Sequence, residues 1–117
     1  MVIDTPGVYG LSSFSKEEEI AREIILPVDV VVNVAEAVHL ARDLFFTRQI
    51  IETVAPVVVA LNMLDEAREE GLKTDVPLLA ELLGVSVIQT VAVKGIGLEE
   101  LKKNFLNKIR LYGRMRL

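Results

Sequence analysis

Short runs of β-branched apolar residues recur along this chain, each separated from the next by a longer stretch of helical period, and no other feature constrains the fold so tightly. The runs are Val2-Ile3, Val28 to Ala35 (VDVVVNVA), Val57 to Leu61 (VVVAL) and Val85 to Gln89 (VSVIQ). Unbroken apolar character suits a strand buried on both faces, and such strands belong to parallel sheets covered by crossover helices. The expected class is α/β: a three-layer domain around a mostly parallel sheet to which these residues contribute four strands. With 117 residues there is material for one modest core, or for one piece of a larger domain.

The intervening segments carry helix signals. Ser15-Lys16-Glu17-Glu18 reads as a capping box that opens a helix from about Lys16 to Leu26, with Ile20, Ile24 and Ile25 as its apolar stripe and Pro27 as its stop. A second helix is expected from Leu40 to Val54, with Leu44, Phe45, Thr47, Arg48 and Ile51 distributed over its core and solvent faces. Asp75 is placed to cap a short helix that runs through Leu83 and ends at Gly84. The last helix, Leu98 to about Leu111, turns Leu101, Phe105 and Ile109 inward.

Charge and composition exclude several functions. With 13 Lys+Arg against 17 Asp+Glu the net charge is -4, which argues against a surface built to neutralise phosphates, so no nucleic-acid partner is expected. The six basic residues between Lys102 and Arg116, with no acid among them, fit the negative end of a helix. The absence of cysteine removes disulfides, thiolate zinc sites and cysteine nucleophiles, and fits a reducing compartment; the expected location is cytoplasmic. No apolar run approaches the roughly 18 residues of a spanning helix, and Met1-Val2-Ile3-Asp4 opens the chain without a signal-peptide pattern.

In an open parallel sheet, ligands bind beyond the carboxyl ends of the strands. Three loops stand at such ends: Asp4-Thr5-Pro6-Gly7, Asn62-Met63-Leu64-Asp65 and Thr90-Val91-Ala92. Asp4 suits a hydrated magnesium ion, and Gly7 offers an unobstructed N–H to a terminal phosphate, although Asp-Thr-Pro-Gly is also ordinary turn chemistry. A carboxylate such as Asp65 can accept two parallel hydrogen bonds from the ring N–H and exocyclic amine of guanine, where adenine presents an acceptor instead; Met63 would offer a polarizable surface to the purine. Asn62 would bridge the base and neighbouring loops, and the N–H of Ala92 could donate to the guanine carbonyl oxygen. The same residues also read as a helix start, with Asn62 as cap and Asp65 favouring the dipole. His39, the single histidine, sits near Glu36 and Asp43 and reads as a surface or capping group rather than a metal ligand.

In order and spacing, D-x-P-G, N-x-x-D and T-x-A resemble the third, fourth and fifth motifs of P-loop GTPases, and more narrowly the G domain of the ferrous iron transport protein B family. The narrower likeness covers nearly the whole chain and is carried by VYGLSSFSKEEEIAREIIL, VVVNVAEAVHLARDL, PVVVALNMLDEA and LLGVSVIQTVAVKGIGLEEL, with Met63 where the wider superfamily has Lys. The resemblance implies a P-loop NTPase-like fold, GTP and GDP binding, slow hydrolysis, and a cytoplasmic domain that precedes a membrane-embedded iron(II) permease. By that likeness Asp4 is the magnesium-side aspartate in the loop with Thr5 and Pro6, and Gly7 is the phosphate sensor. Asn62, Met63, Leu64 and Asp65 form the base-reading motif, and Val91, Ala92 and Val93 flank the guanine. Val8 stands where many GTPases place a water-orienting Gln, and a valine cannot orient water by hydrogen bonding.

One motif of the family is absent from the sequence. The glycines stand at 7, 10, 71, 84, 95, 97 and 113, and none belongs to a G-x-x-x-x-G-K-[ST] phosphate loop. The resemblance therefore implies the carboxyl-terminal portion of a G domain without the family's first two strands, with weak nucleotide affinity and no hydrolysis on its own. A gap in the sheet beside the Met1 to Asp4 strand would leave backbone groups unpaired, so that strand is expected to fray, to find a new neighbour or to be completed by another chain. The alternative is a non-catalytic α/β interaction module that keeps the scaffold alone.

Overall fold

A computed structural model describes residues 30–53 and 56–115. The expected Val2-Ile3 strand, the Lys16 to Leu26 helix and the Asp4 to Gly7 loop lie outside the described residues. Three expected strands are present, as β1 (Val31–Glu36), β2 (Val57–Asn62) and β3 (Ser86–Thr90), paired in parallel in the order β1-β2-β3. The register sets Glu36 beside Asn62 and Asn62 beside Thr90, so the carboxyl ends of all three strands are level at one edge.

Among the described residues four helices connect and cover the strands: α1 (Leu40–Ile51), α2 (Leu64–Glu69), α3 (Val76–Leu83) and α4 (Leu98–Met115). A 3-10 turn, Ala37–His39, leads into α1. Helix α1 buries Phe46, Thr47 and Ile50, one line at i, i+1 and i+4, while Phe45 points outward at 62% exposure. The helix also stops at Ile51, short of the expected Val54. Thr53 explains the early end: its N–H and hydroxyl both donate to the Ile50 carbonyl (3.0 and 2.7 Å), competing with helical continuation. Helix α3 follows its sequence signals, with the Leu78 N–H donating to the Asp75 carboxylate (3.1 Å) and Gly84 closing the helix at φ +71°.

Parity along the strands separates two layers. Ala35, Val57, Val59 and Leu61 face α1, α2 and α3 in one cluster with Phe46, Ile50, Leu64, Ala67 and Val76. The opposite face carries Val58, Ala60 and Ile88, all buried, and α4 packs there against β2 and β3. On β1 the same face is less covered by the described residues: Val34 is 60% exposed, and α4 packs chiefly against β2 and β3. Within α4, Leu101 and Phe105 are half-buried as expected, whereas Ile109 is 38% exposed. No helix among the described residues is long and apolar enough to cross a membrane.

Candidate functional site

The carboxyl edge of the sheet brings two of the three expected loops together. Strand β2 ends at Asn62, and the chain turns at once into α2 through Met63, which adopts the left-handed conformation at φ 65°. Among the described residues it is the one non-glycine with positive φ. Such a residue costs roughly 1–2 kcal/mol, and strain of this kind collects where a turn has to aim side chains. The sharp turn drops Leu64 into the core and leaves Asp65 half-exposed in the first turn of α2. Leu64 thus anchors the motif from below, and its side chain is not at the surface.

Asn62 does not cap α2; Met63 occupies the cap position, with no side-chain cap bond. The Asn62 side chain instead crosses to the next strand. Its Oδ1 accepts from the buried Thr90 hydroxyl (3.1 Å) and from the Ala92 N–H (3.0 Å). The Ala92 N–H is therefore already engaged, and a guanine carbonyl oxygen could reach it only by sharing or displacing Asn62. Of the helix-start reading of N-x-x-D, the helix is present and the Asn62 cap is not: α2 begins here, while Asn62 braces the neighbouring loop.

The loop after β3 is a closed turn. Val91 and Ile96 exchange backbone hydrogen bonds (3.0 and 3.2 Å) around a 3-10 turn, Ala92–Lys94, that Gly95 ends at φ +70°. Gly97 then returns the chain over the sheet at φ +81°, so close that an added Cβ would lie 2.0 Å from the Gln89 carbonyl oxygen. Val91 is half-buried, Ala92 is exposed and Val93 is 93% exposed at the tip. From this turn Lys94 reaches back to the first loop, its Nζ 3.6 Å from Asp65 Oδ2. The sequence placed Thr90 in this loop but gave no site role to Lys94 or Gly97; G-x-G two residues after T-x-A was the signal available.

Asp4, Thr5, Pro6 and Gly7 lie outside the described residues. Among those described, no group of three His, Cys, Asp or Glu side chains could hold a metal ion. His39 places Nδ1 2.9 Å from Glu36 Oε2, and Asp43 accepts the Glu36 N–H (2.8 Å), so these groups satisfy one another at the end of β1. A shallow cavity of about 330 Å³ beside them, lined by His39, Arg42, Leu72 and Lys73 among others, involves neither Asn62 nor Asp65.

Fold and site together define an α/β domain of P-loop NTPase type, its strand-end loops gathered at one edge. Residues 1–105 match the family model of ferrous iron transport protein B, and the chain belongs to that family. It is 41% identical over 112 residues to the Fe(2+) transporter FeoB of Legionella pneumophila strain Paris, covering 91% of this chain and 15% of that protein. The FeoB G-domain of Methanococcus jannaschii superposes with a TM-score of 0.87 at 41% identity, covering 92% of this chain and 70% of that one. NFeoB from S. thermophilus, solved bound to mGMPPNP, gives 0.84 at 39% identity over 92% of this chain and 42% of its own. The chain spans about 15% of the length of such curated relatives.

Proposed function

We propose that this chain binds guanine nucleotide at the carboxyl edge of its sheet, with Asp65 as the reader of the base. The brace carries this reading: Asn62 Oδ1 holds Thr90 and Ala92 at 3.1 and 3.0 Å, so the Asp65 loop and the Val91 to Val93 loop are fixed to each other before any ligand arrives. A preorganised pair of loops does not have to be ordered on binding, which lowers the cost of recognition. Asp65 then accepts the ring N–H and amine of guanine, while Met63 and Val93 offer apolar surface to the ring. Replacement by adenine would leave the carboxylate facing an acceptor. The family relative solved with mGMPPNP, a guanine nucleotide, supports the choice of ligand.

Asp4, Thr5, Pro6 and Gly7 would lie on the phosphate side, with Asp4 the residue to hold magnesium through water. Bound magnesium would supply charge neutralisation at the phosphates. Without a G-x-x-x-x-G-K-[ST] loop in the sequence, binding is weak and hydrolysis is not expected from this chain alone. In its setting the domain is cytoplasmic and serves a membrane-embedded iron(II) permease. A titration with fluorescent GDP and ATP analogues tests the reading. Saturable binding of the GDP analogue alone, lost in Asp65→Asn, is expected; equal binding of both, or an unaffected Asn variant, would overturn it, and the rival interaction module binds neither.

A further inference from the structure

We infer that Lys94 is a positioning residue that sets the Asp65 carboxylate for guanine and so sharpens selection at the purine 2-position; this rests on the guanine reading above. Two features of the site loops lead there. The backbone at Lys94 is fixed, because its N–H donates to the Val91 carbonyl (3.0 Å) within the turn closed by the Val91–Ile96 bridge. Its Nζ then lies 3.6 Å from Asp65 Oδ2, linking the two site loops through side chains where Asn62 links them through the backbone of Ala92.

An ion pair with Lys94 62% and Asp65 37% exposed adds little to the stability of the fold. Its effect is on orientation. Asp65 is in the first turn of a six-residue helix, and no other side-chain bond to it exists among the described residues. A carboxylate offers about four lone-pair sites; guanine takes two, one on each oxygen, and the ammonium, 3.6 Å from Oδ2, pairs with the charge without occupying either of them. Lys94 therefore accompanies the base rather than competing with it, and holds the carboxylate so that both oxygens face the base edge. Loss of the lysine lets the carboxylate rotate, which penalises a ligand that uses both oxygens more than one that uses a single oxygen.

Inosine nucleotides keep the ring N–H and lack the 2-amine, so they separate the two effects. Dissociation constants for GDP and IDP, measured by competition against fluorescent GDP, are compared for the unmodified chain, Lys94→Ala and Lys94→Arg, with circular dichroism to verify folding. Lys94→Ala is expected to weaken GDP about threefold, the scale of an exposed ion pair, to leave IDP unchanged, and to be rescued by Lys94→Arg. An unchanged GDP constant, or equal losses for GDP and IDP, overturns the inference, the second outcome marking a general charge effect on the phosphates. If the unmodified chain fails to prefer GDP over ADP, or Asp65→Asn retains that preference, the guanine reading itself falls and the role of Lys94 falls with it.

Discussion

Asn62 is the residue on which the edge of the sheet depends. One side-chain oxygen satisfies a buried hydroxyl and a backbone N–H that belong to a different strand and loop. Truncation by Asn62→Ala leaves the buried Thr90 hydroxyl and the Ala92 N–H without that acceptor; an orphaned buried donor costs about 1–3 kcal/mol. Chemical denaturation is expected to read a loss in that range for Asn62→Ala. Thr90→Val removes one donor and its need together, and should cost less than about 1.5 kcal/mol. Met63 makes a second residue-scale prediction. Its φ of 65° is tolerable for an unbranched side chain and worse for a β-branched one. Met63→Ile is expected to lower stability by roughly 1–2 kcal/mol in the same measurement, whereas Met63→Asn, a residue at ease in this conformation, should not.

At the scale of elements, the glycines divide by what surrounds them. Gly84 and Gly97 both have positive φ, at +71° and +81°, but a Cβ on Gly84 would meet open space and one on Gly97 would meet the Gln89 carbonyl oxygen at 2.0 Å. Gly84→Ala should cost about 1 kcal/mol, the conformational penalty alone. Gly97→Ala must also displace the backbone of β3 or lift the turn that carries Ala92 and Lys94, so its midpoint in thermal melting should fall well below that of Gly84→Ala. Strands β1 to β3, the capped helix α3 and the start of α1 were legible in the sequence because each is decided locally, by β-branched runs, by Asp75 and Gly84, or by a change of period. What was not legible depends on partners distant in sequence. The placement of Phe46 rather than Phe45 in the core follows from where the sheet lies, and the end of α1 follows from a hydroxyl at Thr53. In the site, N-x-x-D and T-x-A could be found as patterns, while the direction of the Asn62 side chain, 30 residues from its partner Ala92, could not.

For the molecule as a whole, the sheet edge, the closed turn and the family relationship meet in one thermodynamic expectation. A ligand that binds only the folded chain raises stability by RT ln(1 + [L]/Kd), about 2.7 kcal/mol when the free ligand is a hundredfold above Kd. For a domain of this size 1 kcal/mol moves the melting temperature by several degrees. GDP should therefore raise the midpoint with the logarithm of its concentration, while ADP at the same concentrations should not. A weak Kd does not alter the form of this dependence: the onset moves to higher concentration and the slope survives. Asp65→Asn should flatten the GDP curve, because the amide offers one acceptor where the carboxylate offered two. A midpoint that rises equally with GDP and ADP would mean that the phosphates alone are being sensed. A midpoint that moves with neither would leave the scaffold without its ligand and favour the interaction module, for which the braced loops would be a structural inheritance.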